Sequence, residues 1–305
     1  MLIAMQGAVS QGILWGILVL GVFITYKLLD IADLTCDGSL ALGGCVCAVL
    51  IVNFDCNPWL AAAAGMAAGM LAGAVTGLLH TLFEIPAILA GILTQISLWS
   101  INLRVMGKSN MPLLKHETIF SGIAEASGMP QSTVTVVMGL LIVAGIVAFM
   151  YWFFGTEIGS ALRATGGNEN MSRALGINTG VAKMIALMVS NGLVGLSGAI
   201  ICQSQKYADI GMGTGAIITG LAAIVIGEVL GRLTPGKLRL FLSRLISAVV
   251  GSVVYFLIRA IVLQLGMDAN DMKLLSACIV AVALAVPVVW ERRQLRRSFA
   301  RGGAA

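Results

Sequence analysis

The 305-residue sequence has few charged residues, and this scarcity excludes most soluble folds. Aspartate, glutamate, lysine and arginine make up 11% of the chain, whereas about 25% is usual in soluble proteins. A soluble surface cannot be built from so few charges. Hydrophobic residues account for 58% of the sequence, and the mean hydropathy is +0.97. We therefore expect an integral membrane protein with a single transmembrane domain over residues 1–305, rather than two soluble domains.

Side chains that could form a catalytic or metal site are also scarce. The chain has two histidines and no H-E-x-x-H or G-x-S-x-G motif. Its six cysteines lack the paired spacing of a zinc site or a disulfide framework. A G-x-x-x-x-G-K match at residues 231–237 contains Pro235 and continues with Leu238 instead of serine or threonine, so it does not predict a phosphate-binding loop. We expect no catalytic residue, no metal site and no cofactor bound by this chain.

Long apolar runs separated by polar or basic segments dominate the sequence. A helical membrane span needs about 20 residues, and these runs lack the polar alternation of barrel strands. Because every backbone group in a span must be hydrogen-bonded internally, we expect an all-α integral membrane protein, a polytopic helical bundle. About nine spans are predicted, at residues 8–28, 38–53, 59–82, 85–103, 134–154, 181–202, 213–230, 245–265 and 273–290.

The basic residues predict the orientation of the bundle. Lysine and arginine near span ends remain in the cytoplasm. With an extracytoplasmic N-terminus, thirteen of the nineteen basic residues fall in cytoplasmic segments and five in external ones. This orientation gives an external loop at about 104–133, a cytoplasmic loop at about 155–180 and a basic cytoplasmic tail at 291–305. The basic residues lie between apolar runs rather than in one water-exposed patch, so nucleic-acid binding is not expected.

The third predicted span has a regular stripe of small residues. Glycines recur there at intervals of four, at Gly65, Gly69, Gly73 and Gly77. A helix face without side chains lets a neighbouring helix approach closely and gain dispersion contacts. We expect tight helix packing inside the bundle, with a pore-lining or subunit-facing role as the alternative.

Three aspartates lie between the first two spans. Asp30, Asp33 and Asp37 have the spacing i, i+3, i+7, which would place them on one face of a helix. Each carboxylate would cost about 2.5 to 3.5 kcal/mol at the bilayer centre, so it must line water, pair or lie outside the core. Two interpretations remain: solvated acids in an inner loop, or a broken helix beside a passage, since Gly38 and Ser39 can interrupt a span.

Three other ionisable residues lie in or near predicted spans. His80 and Glu84 have i, i+4 spacing at an inner helix end and could form a hydrogen bond. Arg259 lies within the eighth predicted span, where a partner, a water-filled cavity or snorkelling is expected. An interfacial pair of His80 and Glu84 is a simpler interpretation than a proton relay, because both lie near a span end.

The cytoplasmic loop has the most specific pattern in the chain. It reads GTEIGSALRATGGNENMSRALGINTGVAK. Gly166 and Gly167 can break the chain, Asn168 can cap a short helix through its side-chain oxygen, and Gly176 can end that helix. A short helix of this kind has little core of its own to bury. Docking into a groove on a partner would stabilise it.

This loop resembles the cytoplasmic loop of permease subunits in ABC importers of the ribose and branched-chain amino acid type. The family pattern, A-x-G-x-N followed by small residues and G-I, is matched by Ala164, Gly166, Asn168, Ala174, Gly176 and Ile177. The resemblance implies the ABC importer permease fold with a cytoplasmic coupling helix. It also implies contact with an ATPase, which we expect at Ala164, Thr165, Gly166, Asn168, Arg173, Gly176 and Ile177.

Two further stretches resemble the same family. DLTCDGSLALG is similar to the D-L-S-x-G-S segment of sugar permeases, and DIGMGTGAIITGLAAIVIGEVLG is similar to their seventh-span region. With IPAILAGILTQISLWSINLRVMGKSN, they look closest to a bacterial branch whose cargo includes tryptophan and other aromatic amino acids. The residues expected to line the translocation pathway are Asp33, Asp37, Ser39 and Asn102.

The resemblance implies the permease subunit of a bacterial ABC importer for a small solute, an amino acid such as tryptophan being the first expectation. Two permease copies, expected to be a homodimer, would lie in the lipid of the plasma membrane. Their partners would be two ATPase subunits, which bind ATP and magnesium, and an extracytoplasmic solute-binding lipoprotein. A sugar or nucleoside importer is an alternative. A self-sufficient transporter coupled to protons or sodium through the aspartates is another, although paired charges deep in several spans are lacking. A membrane-embedded enzyme would need a catalytic constellation that the sequence does not show.

Overall fold

The computed structural model describes residues 2–232 and 241–266, with isolated positions between 271 and 285. Nearly all of this chain is helical, as the apolar runs predict. The elements in chain order are α1 (Leu2–Phe23, continued by a π-helical turn at Ile24–Leu28), α2 (Thr35–Phe54), α3 (Pro58–Thr81), α4 (Ala87–Met106), β1 (Asn110–Pro112), α5 (Ile119–Ser127), α6 (Gln131–Gly155), α7 (Glu157–Gly167), α8 (Glu169–Ala174), α9 (Thr179–Gln205), β2 (Tyr207–Asp209), a 3-10 helix (Ile210–Gly213), α10 (Ala216–Arg232) and α11 (Phe241–Gln264).

Eight helical segments within the described residues are long and apolar enough to cross a membrane. They are based on α1, α2, α3, α4, α6, α9, α10 and α11. The predicted all-α polytopic bundle is confirmed. The ninth predicted span, residues 273–290, lies largely outside the described residues.

The bundle has two distinct ends, which are joined by α9. This helix has 27 residues and is therefore about 40 Å long. The short helices α7 and α8 precede it at one end, called the α8 end below. At the other end, called the sheet end, β1 and β2 form a two-stranded antiparallel sheet in which Met111 pairs with Ala208. This sheet, which was not predicted from the sequence, joins the loop after α4 to the connection between α9 and α10.

Close packing of α3 on α2 and α9 forms the centre of the bundle. A methyl group at Gly73 would overlap the carbonyl oxygen of Leu187 on α9, and one at Gly65 would lie 2.8 Å from the carbonyl oxygen of Gly43 on α2. Such close backbone approach gains dispersion contacts that larger side chains would prevent. The glycines at intervals of four are all buried along α3: Gly65, Gly69, Gly73 and Gly77.

Two ionisable side chains, His80 near a span end and Arg259 within a span, have partners that the sequence did not predict. Nδ1 of His80 lies 2.8 Å from the carbonyl oxygen of Ile85, so the expected bond to Glu84 is wrong. The reason is that α3 ends at Thr81, after which the helical i, i+4 spacing no longer applies. The guanidinium of Arg259 lies 5.8 Å from the ring centroid of Phe256, a cation–π arrangement.

Candidate translocation pathway and coupling surface

The chain between α1 and α2 enters the bundle without forming a helix. Residues 29–34 are non-helical, and Asp30 has a φ of 56°. The expectation that Asp30, Asp33 and Asp37 share one helix face is therefore wrong. Asp30 is exposed, Asp33 is buried with 2% of its surface exposed, and Asp37 lies in the first turn of α2. The break in the helix precedes Gly38 and Ser39, both of which lie inside α2.

A network of buried hydrogen bonds holds Asp33. Its carboxylate accepts from the backbone N–H of Thr35 at 2.9 Å and from Nδ2 of Asn191 at 2.6 Å. The hydroxyl of Ser39 donates to Oδ1 of Asn191 at 2.7 Å. A carboxylate within a bilayer is tolerated where it is paired or hydrated. Asn191, on α9, therefore stabilises the start of α2 and connects two of the predicted pathway residues.

Three buried threonines extend this network to two more spans. The Thr35 and Thr76 hydroxyls lie 2.8 Å apart, and Thr76 donates to Oγ1 of Thr94 at 2.9 Å. The Thr94 hydroxyl donates to the backbone carbonyl of Ala90 at 3.0 Å. Interhelical hydroxyl bonds of this kind stabilise membrane bundles. Four spans, α2, α3, α4 and α9, thus meet around the first turn of α2.

Asp37 joins the start of α2 to the start of α10. Its carboxylate accepts from the backbone N–H groups of Gly215 and Ile217, both at 2.9 Å. A negative charge at a helix N-terminus satisfies free N–H groups and interacts favourably with the helix dipole. A methyl group at Gly213 would overlap the carbonyl oxygen of Asp37. The two helix starts are therefore in direct contact.

The first turn of α2 lies deep within the bundle. A methyl group at Gly38 would contact Gln95 and Leu98 of α4, which are eight and eleven residues beyond Ala87, the first residue of that helix. At 1.5 Å per residue, this point is about 12–17 Å from the α8 end of α4. The hydrocarbon core of a bilayer is about 30 Å thick. The junction of α2 and α10 thus lies beside the middle of α4, a helix long enough to cross that core. Solute sites formed by discontinuous helices in secondary transporters usually lie at the membrane midplane.

The fourth predicted pathway residue, Asn102, lies beside this junction on α4. It is 1% exposed, and its Nδ2 donates to the carbonyl oxygen of Gly38 at 3.5 Å. Asn102 and Asp37 line the same small cavity. The predicted pathway residues therefore form two neighbouring groups, Asp33 with Ser39 and Asp37 with Asn102.

Several polar residues of this region were not predicted from the sequence. Asn191, Thr76 and Thr94 hold the network together, and Gln95 lines the small cavity. Their only signal was the presence of polar side chains within apolar spans, where such residues are rare and usually functional. Among the described residues, no group of three or more histidine, cysteine, aspartate or glutamate side chains could hold a metal ion.

The short helix predicted in the loop is present as α8. The side-chain oxygen of Asn168 accepts from the backbone N–H of Met171 at 3.0 Å, which confirms the predicted N-cap. Gly176 follows the helix with a φ of +84°, a conformation that favours glycine. The predicted helix end is therefore also confirmed.

The residues expected to contact an ATPase differ in their exposure. Thr165 is buried, and a methyl group at Gly166 would overlap the carbonyl oxygen of Leu28 at the end of α1. These two residues pack against the bundle. Two apolar side chains that were not predicted, Met171 and Leu175, are 61% and 69% exposed. The predicted residues at the surface are Ala164, Asn168, Arg173 and Gly176, and Ile177 is half-buried.

Ion pairs attach α8 to the α9 span. A carboxylate oxygen of Glu169 accepts from Nζ of Lys183 at 2.7 Å, and the other accepts from Nη2 of Arg173 at 3.0 Å. The hydrogen bond from Lys183, helped by the positive charges of Lys183 and Arg173, lowers the pKa of Glu169 from its ordinary value. Because Lys183 lies on α9, these bonds fix the short helix relative to a membrane span.

A cavity of about 460 Å³ separates the coupling loop from the non-helical segment before α2. Its lining includes Asp30, His80, Thr165, Glu169 and Lys183. The loop and residues 29–32 therefore share one space at the α8 end. A change in the position of α7 and α8 would alter the walls of this cavity directly.

Comparison with known proteins identifies the family. Residues 4–284 match the permease component of branched-chain amino acid transport systems. The chain is 36% identical to the tyrosine transport system permease protein of Clostridioides difficile over 284 residues, which cover 92% of this chain and 91% of that protein. It is 28% identical to the ribose import permease protein RbsC of Escherichia coli over 258 residues, 83% of this chain and 76% of that protein.

A third relative, an uncharacterized protein of Rickettsia prowazekii, is 29% identical over 281 residues, 91% of this chain and 95% of its own length. No solved structure matches the chain. The family match extends across the eight described spans and the α7–α8 loop. The chain therefore belongs to the ABC transporter permease family of branched-chain amino acid transport systems.

Proposed function

We propose that this chain forms the translocation pathway of an ATP-driven importer for an aromatic amino acid. Two copies of the chain form the pathway, two ATPase subunits bind ATP and magnesium on the cytoplasmic side, and a solute-binding lipoprotein delivers the solute from outside. The relative named as a tyrosine transport permease supports this class of solute. The ribose import permease among the relatives supports a sugar as the second candidate.

The observation that supports this proposal most strongly is the surface of α8. The helix is capped at both ends and attached to α9, and it nevertheless exposes Met171 and Leu175. A short helix that exposes large apolar side chains in and directly after it is suited to a groove on a partner protein. In a permease, the partner that must transmit force is the ATPase.

The charge at the α8 end supports a cytoplasmic position for this helix. Basic residues there include Lys27, Arg163, Arg173, Lys183 and Arg244. Lysine and arginine in short loops beside spans favour the cytoplasmic side of a membrane. The sheet end then faces the outside, where β1, β2 and α5 are available to the solute-binding protein.

Contacts between α7 and α1 provide a route from the ATPase to the pathway. Gly166 lies against the carbonyl oxygen of Leu28, and the chain continues from there through residues 29–34 to Asp33. Movement of α7 and α8 therefore shifts the segment that begins α2. Closely packed elements pass such movements on as discrete rearrangements.

The positions of the aspartates disfavour a self-sufficient ion-coupled transporter. Asp30 is exposed at the α8 end, whereas Asp33 and Asp37 each accept two hydrogen bonds within the bundle. A proton or sodium route through the three residues would need them to face one continuous passage. Asp33 and Asp37 instead accept N–H groups at the starts of α2 and α10, which supports a role in holding these helix starts.

The test is uptake by proteoliposomes that contain the permease, its ATPase and its solute-binding protein. We expect labelled tyrosine to accumulate only with internal ATP, and the permease alone to accumulate none in a proton or sodium gradient. Uptake by the permease alone would show that it is an ion-coupled transporter. ATP-dependent uptake of ribose but not tyrosine would refute the amino-acid assignment.

A second experiment addresses the surface of α8. Replacing Leu175 with aspartate should abolish copurification of the ATPase, because a charge cannot enter an apolar groove without a large desolvation cost. Leu82, at the same end, is 71% exposed and provides the matched control, Leu82→Asp. Equal ATPase binding by the two variants would show that α8 is not the docking helix.

A further inference from the structure

A small cavity lies where the starts of α2 and α10 meet α4. Its walls include Asp37, Gln95, Trp99, Asn102 and Thr214. The cavity volume is about 30 Å³, close to the share of liquid volume that one water molecule takes up. It therefore has space for one small polar group, such as an ammonium or a hydroxyl, and not for a whole solute.

Asn102 lines this cavity and has an unused acceptor. Its Oδ1 is buried and has no hydrogen-bond partner among the described residues. Nδ2 of Asn102 donates to the carbonyl oxygen of Gly38 at 3.5 Å, which leaves Oδ1 as the amide atom without a partner. Leaving a buried acceptor unpaired is costly, so a donor from outside the described chain is expected to fill this position.

Asp37 makes the cavity suitable for a cation. Each of its carboxylate oxygens accepts one backbone N–H from the start of α10 and retains a further acceptor site. Among the ion pairs of the described residues, none includes Asp37. An ammonium group has three N–H donors and a positive charge, and so satisfies both Asn102 and Asp37.

Trp99 provides an apolar surface at the opening of the cavity. It is 54% exposed, while Asn102 on the same helix is buried. An indole ring packs well against aromatic and aliphatic groups and also attracts a nearby cation. A molecule that carries both an ammonium group and an aromatic side chain can therefore place its ammonium group in the cavity and its aromatic side chain against Trp99.

We propose that this cavity binds the ammonium group of an amino acid during its passage through the permease. Oδ1 of Asn102 and the carboxylate of Asp37 accept hydrogen bonds from the ammonium, and Trp99 contacts the side chain of the solute. This inference rests on the proposed import function. The site would select solutes within the membrane, in addition to the selection made by the solute-binding protein. A neutral sugar would bind less well, because it has no positive charge for Asp37 to attract.

Transport of tyrosine by the complete reconstituted transporter tests this site. A hydrogen bond to a charged group is strong enough that Asn102→Leu should lower the ATP-dependent uptake rate at low tyrosine concentration by about tenfold or more. Asn102→Asp keeps an oxygen acceptor and should therefore retain clearly more uptake than Asn102→Leu. Ser97→Ala is the control, because the Ser97 hydroxyl donates only to the carbonyl of Leu93 on its own helix.

The outcomes separate this inference from the proposed function. Unchanged uptake by Asn102→Leu would overturn the ammonium site. Equal losses in Asn102→Leu and Asn102→Asp would also overturn it, because both variants lose the bond from Nδ2 to Gly38 and a structural role would then explain the result. If Asn102→Leu does not assemble with the ATPase, a tenfold loss in Asn102→Asp alone is sufficient to reject the site. Failure of the proposed function would instead appear in the wild type, as absence of ATP-dependent tyrosine uptake.

Discussion

Replacing Asn191 with leucine should lower the free energy of unfolding more than removing a nearby polar side chain that makes one neutral hydrogen bond. The variant loses hydrogen bonds from Nδ2 to the carboxylate of Asp33 at 2.6 Å and to the carbonyl of Leu187 on the same helix at 3.0 Å, and one from the hydroxyl of Ser39 at 2.7 Å. Hydrogen bonds to charged groups contribute about 1.5–3 kcal/mol, and neutral bonds within membrane bundles contribute about 0.6 kcal/mol. The expected loss in the free energy of unfolding is therefore about 2–4 kcal/mol.

Reversible unfolding of the purified protein in mixed detergent micelles measures this loss. Ser190→Ala is the matched control, because the Ser190 hydroxyl donates one neutral bond to the carbonyl of Gly21 at 2.8 Å and should contribute about 0.6 kcal/mol. The double variant Asp33→Leu/Asn191→Leu should be more stable than the sum of the single effects predicts, by about 1.5 kcal/mol or more. Additivity within about 0.5 kcal/mol, or equal losses in Asn191→Leu and Ser190→Ala, would refute this account of the network.

Two further predictions concern the α8 end. Gly166→Ala should destabilise the protein by about 1–3 kcal/mol and reduce uptake, since the new methyl group overlaps the carbonyl of Leu28. Gly167→Ala meets open space and should match the wild type; similar thermal unfolding of the two variants would disprove this contact. The pair of Glu169 with Lys183 should stabilise the protein above pH 4.5, the ordinary pKa of that carboxyl, and lose its effect as the pH falls through the lowered folded-state pKa. Melting temperatures of wild type and Glu169→Gln should therefore converge in acid, and a gap that stays constant with pH would contradict the assignment.

The membrane bundle and the short helix α8 could be predicted because their signals are local. Runs of about 20 apolar residues predict spans wherever they occur, and capping of a helix by Asn168 depends on residues within three positions. The end of α8 at Gly176 likewise depends on a single backbone conformation. Local physical rules are sufficient for such features.

The polar network could not be predicted, because its partners are distant in the sequence. Asn191 lies 158 positions from Asp33, and Gly215 lies 178 positions from Asp37. Helical periodicity placed Asp30 and Asp33 on one face with Asp37, but residues 29–34 are non-helical, and Asp33 accepts hydrogen bonds from the Thr35 N–H and from Nδ2 of the distant Asn191. A sequence shows that such residues need partners and does not show which partners the fold supplies.

The connection from β2 to α10 is short and is in contact with the start of α2. Strand β2 ends at Asp209, the 3-10 helix ends at Gly213, and the backbone of Gly213 contacts Asp37. Few residues are available there to absorb a displacement. Under the proposed function, a solute-binding protein that docks on the small sheet and shifts β2 would therefore also shift the first turn of α10, so that delivery of the solute and rearrangement of the internal junction would be coupled.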